Sequence, residues 1–245
     1  ASELLKDIQA EKERLIKEGK IKKQKELPPI KREELPYEMP QGWGWVKLRE
    51  VTHEWGQKTP DKDFSYIDVG SIDNSNGVII DEPQVLTPES APSRARKIVK
   101  PGTVIYSTVR PYLLNIAIVE KDYIEEPIAS TAFAIMHPFK GLVVKYLYRY
   151  LNSQIFIEFV ESKQKGVAYP AISDGDLYQG LIPLPPLAEQ KRIVAKIDEL
   201  MALCDKLETQ RKVCDEKILA AHRAAINQLL EPSQSLTLRN FAASR

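Results

Sequence analysis

Apolar positions along this chain follow three successive rhythms. Over residues 1–40 they are sparse. Leu4, Leu5, Ile8, Leu15 and Ile16 fit a short amphipathic helix predicted from Glu3 to Lys17, with Ser2 as its cap and Gly19 as its stop. Lys20-Ile21-Lys22-Lys23-Gln24-Lys25, followed by Pro28, Pro29, Pro36 and Pro40, predicts an extended basic linker. Such a run reads either as a solvated connector or as an arm that touches phosphates.

From residue 41 the period shortens. Tyr66-Ile67-Asp68-Val69, Gly77-Val78-Ile79-Ile80, Thr103-Val104-Ile105-Tyr106 and Ile116-Ala117-Ile118-Val119 predict short strands, separated by Gly and Pro. A helical pattern shows only from Leu142 to Phe159, where Leu147, Leu151, Ile155 and Phe159 recur every four residues. After Pro185-Pro186, a favoured helix start with Glu189 in the first turn, the period lengthens for good. Ile193, Ile197, Leu200, Cys204, Leu207, Arg211, Cys214, Ile218, Ala221 and Ala225 step by four and three, which is a heptad seam. One helix from Leu187 to Leu230 would be roughly 66 Å long at 1.5 Å per residue, so its narrow seam calls for a partner helix. The expected class is α+β. A mixed-sheet domain over 41–183 is followed by a long coiled-coil-forming helix over 184–231, with an N-terminal helix and basic linker in 1–40 and a frayed tail in 232–245.

Composition narrows the possible functions. With 43% hydrophobic residues in 245 the chain can build a core. Lys+Arg 35 against Asp+Glu 34 leaves +1, which excludes a wholesale polycation, so any nucleic-acid surface is a local patch. Residues 41–183 carry fifteen basic and seventeen acidic side chains, unevenly placed. Arg94, Arg96, Lys97, Lys100 and Arg110 lie in 90–119 with no acid among them, and Lys140, Lys145 and Arg149 lie in 127–157, again with none. No run approaches the roughly 18 apolar residues of a membrane span and no charged-then-apolar leader opens the sequence, so a soluble, cytoplasmic protein without membrane attachment is expected. Cys204 and Cys214 stand ten apart on one predicted helix, about 15 Å of rise, too far for a disulfide, and are read as free thiols.

Catalytic chemistry is mostly missing. An amino-methyltransferase needs an Asn/Asp-Pro-Pro-aromatic loop and a glycine-rich turn for its methyl donor; Leu27-Pro28-Pro29-Ile30 and Leu184-Pro185-Pro186-Leu187 lack both the polar first residue and the aromatic last one. There is no phosphate-cradling glycine loop ending in Lys-Ser/Thr. His53, His137 and His222 fall in three regions without partners at metal spacing, so no metal is expected. Asp61, Glu161 and Lys163 spell the acid pair plus lysine of a Mg²⁺ nuclease, but across a hundred-residue gap. Groups suited to a DNA groove are better represented. Ser107, Thr108, Arg110 and Tyr112 follow a strand in a proline-held turn; Lys163, Lys165 and Tyr169 surround Gly166; Arg94, Arg96 and Lys97 form a third loop. Arg pairs with guanine in the major groove, while hydroxyls and lysines hold phosphates. A single basic loop is usually a solvated face, but three in acid-poor stretches of one domain point to nucleic acid.

One run is more specific. Leu181-Ile182-Pro183-Leu184-Pro185-Pro186-Leu187-Ala188-Glu189-Gln190-Lys191-Arg192-Ile193-Val194, leading into Ile197-Asp198-Glu199-Leu200, resembles the junction between a target-recognition domain and a long helix in specificity subunits of type I restriction-modification systems. Gly102 to Tyr112, Ala129 to Phe133, Gly166 to Ser173 and the opening Glu3 to Pro29 resemble weaker landmarks of the same family, in the same order. The resemblance implies a non-catalytic reader of double-stranded DNA. Family members carry two recognition domains, each reading half of a split site, and two antiparallel helices that fix the spacing and dock modification subunits. S-adenosylmethionine, ATP and Mg²⁺ would then belong to the modification and restriction subunits, and none to this chain. This sequence has one such domain and one such helix and starts without Met, as either a half-length subunit or a fragment would. A half would pair its seam, with Ile193, Ile197, Leu200, Leu207 and Ile218 as the chief contacts, against a second copy. The rival outside nucleic-acid recognition is a coiled-coil scaffold whose globular part binds protein.

Overall fold

In a computed structural model, residues 2–23, 27–80 and 83–230 are described. Gln24, Lys25 and Glu26 of the predicted linker and the predicted tail at 232–245 lie outside them. The chain opens with helix α1 (Ser2–Lys17), then β1 (Gly44–Lys47), the single turn α2 (Leu48–Val51) and β2 (Thr52–His53). Seven strands follow: β3 (Phe64–Ile67), β4 (Ile72–Asp73), β5 (Val78–Ile79), β6 (Gln84–Leu86), β7 (Ala95–Ile98), β8 (Thr103–Ser107) and β9 (Ile116–Val119). The remainder is β10 (Glu126–Ser130), β11 (Phe133–Pro138), helices α3 (Val144–Leu151) and α4 (Gln154–Lys163), the turn α5 (Asp174–Leu177), β12 (Leu181–Leu184) and helix α6 (Leu187–Leu230).

The strands form two four-stranded and two two-stranded sheets, in keeping with the α+β reading. One four-stranded sheet, β6-β3-β10-β7, is mixed, with β10 parallel to β3, while the other, β2-β11-β8-β9, and the pairs β1-β12 and β4-β5 are antiparallel. Strand β8 is buried at all five positions because it lies between β11 and β9 with both faces covered. Its alternation distributes the side chains. Val104 and Tyr106 enter the main core with the helices, while Ile105 faces a second cluster with Ile67, Ala117, Phe133 and Ile135.

Helix α1 ends where Gly19 takes φ +68° and Lys20 N–H donates to Leu15 O at 3.0 Å, the left-handed stop expected of that glycine. Residues 1–40, read from the sequence as a part of their own, contribute Ile8, Leu15 and Ile21 to the main core. The predicted linker is also tied down at Pro28, whose carbonyl accepts from Lys47 Nζ at 2.8 Å.

The helical pattern over 142–159 is carried by two helices, α3 and α4. The chain breaks at Asn152-Ser153, and the two-residue interruption resets the helical phase. Tyr146, Leu147 and Leu151 are buried before the break, Phe156 and Val160 after it, and Ile155 faces solvent. Gly180 sits where Phe156 and Phe159 press closest: a Cβ there would lie 2.7 and 2.9 Å from their rings.

Two of the histidines placed in separate regions by the sequence are neighbours. Strands β2 and β11 pair His53 with His137, their rings 5.1 Å apart, with Trp55 and Phe139 packed on them. Burial holds both rings neutral; His137, with His53 and Lys100 also beside it, is pushed down to about 4, and His53 is lowered. The unfolded chain binds protons below its ordinary value of about 6.5, whereas the folded chain resists them, so stability should be flat above pH 7 and fall from about 6.5 toward 4. Thermal melts at pH 7.5 and 5 should show this drop, and His137→Gln should shrink it. An unchanged drop in that variant would assign the effect to other groups.

The chain divides into residues 1–194 and 195–245. In the first unit, the opening turns of α6 are anchored. Glu189 accepts from Trp43 Nε1 at 2.7 Å, and Gln190 is fully buried. In the second, α6 continues as helix, and every residue from Glu199 to Leu229 is exposed. Leu200, Leu207 and Ile218 of the seam are about half exposed, and Cys204 and Cys214 are exposed free thiols. Ile193, in the first unit, and Ile197, in the second, are half-buried. Among the described residues no helix is long and apolar enough to cross a membrane.

Candidate nucleic-acid interface

The loop after β8 is built from its own hydroxyls. Ser107 Oγ donates to Val109 O at 2.9 Å, and Thr108 donates both its N–H and its Oγ1 to Ala132 O, at 2.8 and 2.9 Å. Both residues are buried, so the hydroxyls expected to face phosphate hold the loop instead. The loop then turns sharply. Arg110 takes φ 48° and ψ 57°, a left-handed conformation uncommon outside glycine, and Leu114 repeats it at φ 50°. Three hydrogen bonds fix Arg110 and its turn: its N–H donates to Pro170 O at 2.8 Å, its carbonyl accepts from Leu113 N at 3.0 Å, and Leu114 N donates to Pro111 O at 3.0 Å. Strain of about 1–3 kcal/mol at such a residue survives only where its surroundings over-determine it. The result is an exposed guanidinium on a rigid support.

The second predicted loop meets the first. After α4, Lys165 and Ala171 exchange backbone hydrogen bonds at 2.8 and 2.9 Å, and Ile172 N donates to Thr108 O at 2.9 Å. Val109 and Ala171 form a further bridge. Gly166 has φ +91°, and a Cβ there would lie 2.8 Å from Tyr169 O, so glycine is required. This presents Tyr169, 69% exposed, with its ring centroid 5.0 Å from Arg110 Cζ, a cation–π distance. Lys163, Lys165 and Tyr112 are exposed around them.

Arg94 completes the group. Its carbonyl accepts from Thr131 N at 2.8 Å, and its side chain shares with Arg110 and Tyr169 a shallow hollow of about 400 Å³, which no acidic residue lines among those described. Three loops far apart in sequence thus converge on two guanidiniums and an aromatic face. The rest of the third loop behaves differently. Arg96 Nη1 donates to Thr59 Oγ1 at 2.6 Å, and Lys97 is a correction: it is 3% exposed, its ammonium donating to Phe133 O at 2.6 Å and to the Asp174 carboxylate. It alternates inward on β7 and is an internal tie rather than a groove contact.

Sequence reasoning missed the turn Asp73-Asn74-Ser75-Asn76-Gly77. Asn74 Nδ2 donates to Leu113 O at 3.0 Å, bracing the Arg110 loop from a second side. Hydrogen bonds from Asn76 and Ser75 hold the Asp73 carboxyl below its usual range. Its Asn-Gly ending is a legible turn signal, but nothing local connects it to residue 113. Of the residues read as a nuclease trio, Asp61 is paired with Lys58 at 3.1 Å, and among the described residues no three His, Cys, Asp or Glu side chains gather as a metal-holding group.

Residues 40–213 match the family model described as the type I restriction modification DNA specificity domain. The chain belongs to that family. It is 35% identical over 217 residues to the EcoAI type I restriction enzyme specificity subunit of Escherichia coli, a match that covers 85% of this chain and 36% of that subunit. In structure it is similar to the HsdS subunit from Thermoanaerobacter tengcongensis, with TM-score 0.72 and 35% identity over 83% of this chain and 53% of that one. A chain solved in a study of complex assembly and conformational transition of the type I R-M system matches at 0.72 and 36%, covering 84% and 53%. The chain therefore spans about a third of the curated relative and about half of each solved one. In this specificity domain the most recognisable run, Leu181 to Val194, is a joint. Strand β12 pairs with β1, Pro185-Pro186 end it, and Gln190 plugs the space beneath α6 with hydrogen bonds to Val143 N, Gly141 O and Pro185 O.

Proposed function

We propose that this chain is a non-catalytic DNA reader that recognises one half of a bipartite site and docks a modification subunit. The observation that carries the reading is the acid-free hollow where Arg94, Arg110 and Tyr169 converge. Arg110 is assigned the base contact and Arg94 a contact beside it; Tyr112, Lys163 and Lys165 flank them at positions suited to phosphates. Ser107 and Thr108 hold the loop in shape. In this reading S-adenosylmethionine, ATP and Mg²⁺ are used by the modification and restriction subunits, in the cytoplasm. The exposed seam of α6, through Leu200, Leu207 and Ile218, takes up a partner helix, from a modification-bearing complex or from a second copy.

The same seam favours a second reading, a scaffold whose globular part binds protein. A selection from a random duplex library at two salt concentrations, with and without the cognate modification subunit, separates the two. The reader should enrich a short motif that requires this chain, with affinity falling steeply as salt rises. A two-part symmetric motif would identify a paired half. Binding that selects no motif and barely responds to salt would leave the scaffold.

A further inference from the structure

Beyond the reading hollow, the exposed cations of this domain form a continuous path. Around β7 burial alternates: Ala95, Lys97 and Val99 are buried, while Arg94 and Lys100 are exposed and Arg96 is partly so. Arg94, Arg96 and Lys100 therefore share one side, spanning about 20 Å at 3.3 Å per residue. Arg94 stands at the hollow. At the other end Lys100 lies 4.0 Å from the Trp55 ring, and Trp55 lines a trough with Lys20, Lys22, Lys23 and Arg49. The trough is fixed to the strand: Gly56 O accepts from Ile98 N at 3.2 Å, and Lys58 N donates to Arg96 O at 2.9 Å. Its lysines are ordered too. Ile21 is buried between Lys20 and Lys22, which pins a segment that would otherwise be a loose basic arm.

The acids nearby do not balance these charges. Glu18 pairs with Lys20 at 2.7 Å, Asp61 and Glu126 both engage Lys58, and Glu54 alone among acids lines the trough. Glu11 lines the adjoining hollow with Lys20 and Lys100, but it is engaged by Arg14 at 3.8 Å and by the Lys140 N–H. Arg94, Lys22, Lys23 and Lys100 are left exposed, and a polyanion lying along them would supply their counter-charge. A duplex carries a phosphate every 3.4 Å of axis on each strand, so 20 Å corresponds to about six base pairs.

We infer that β7 and the Lys20–Lys23 segment form a phosphate track that grips duplex DNA beyond the bases being read, independently of sequence. The inference rests on the DNA-reading assignment and adds to it a second, non-specific footprint. The test compares the purified chain with a triple variant, Lys22→Gln, Lys23→Gln and Lys100→Gln, and with Glu54→Gln, by titrating selected and scrambled duplexes across a salt series. The triple variant should lose at least about tenfold in affinity near 0.1 M salt, equally on both duplexes, and the log–log salt slope should shrink by about 2 to 3, close to 0.9 for each contact removed. Its selected motif should be unchanged. Glu54→Gln, which removes an acid without disturbing a cation, should bind both duplexes a few-fold tighter. A triple variant with the wild-type slope, or one that loses affinity only for the selected duplex, would overturn the track while leaving the reader intact. A wild-type chain that enriches no motif would instead overturn the reading on which the track depends.

Discussion

Replacing Arg110 with alanine should cost about 1–3 kcal/mol of affinity on the selected DNA site, roughly five- to 150-fold, and far less on scrambled duplex. The guanidinium is exposed, it lies in a hollow without acids, and its approach is set by the Tyr169 ring and by a backbone held at φ 48°. A side chain already oriented loses little freedom on binding, so most of its hydrogen-bond energy goes into discrimination. Arg110→Lys should fail nearly as badly, because an ammonium cannot present two parallel donors to a guanine edge. The strained backbone allows a control. Arg110→Gly relieves the left-handed strain and should leave the fold as stable or more stable, by up to about 1 kcal/mol, while discrimination is lost. Equal losses on selected and scrambled duplex would show that Arg110 meets phosphate only.

Gln190→Ala should destabilise the domain by about 3 kcal/mol, the largest stability effect expected from an uncharged polar residue here. Its amide is fully buried: Oε1 accepts from Val143 N at 2.8 Å, and Nε2 donates to Gly141 O at 2.8 Å and Pro185 O at 3.0 Å. Alanine leaves one backbone donor and two carbonyls without their side-chain partner, at about 1–3 kcal/mol for each group truly stranded. Gln190→Glu should be worse still. It removes both donors from the carbonyls and buries a charge. Urea melts of the three proteins measure this directly; a loss below about 1 kcal/mol for alanine would mean that water enters and replaces the amide. Because Gln190, itself in the first turn of α6, bonds to the β11–α3 turn and to Pro185 just after β12, the variant should also loosen the joint on which the helix begins.

The sequence was informative about elements and poor about their meetings. Strands β8 and β9 stand where their apolar runs predict, Gly19 ends α1, and the heptad pattern runs through one helix of 44 residues. The helical pattern over 142–159 is present, but the break between α3 and α4 was not legible, because a four-residue period survives a short break by coincidence of spacing although the buried face has moved. Arg94, Arg110 and Tyr169 were each visible as members of basic loops; that they share one hollow was not. Lys97 looked the same as Arg96 in the sequence, and only β7 pairing, which turns alternate side chains inward, separates the buried Lys97 from the partly exposed Arg96.

What the sequence determined by itself was therefore whatever depends on neighbours a few residues away: helix and strand periods, glycine stops, the absence of nucleotide and methyl-donor motifs, and the joint around Leu181 to Val194 that marks the family. Tertiary structure alone decided which polar groups face water. The hydroxyl of Thr108, the ammonium of Lys97 and the amide of Gln190 all turned inward because distant backbone groups, at Ala132, Phe133, Gly141 and Val143, needed partners once buried. A buried hydrogen-bonding group must be satisfied by whatever the fold brings beside it, and that partner is set by chain topology rather than by sequence distance.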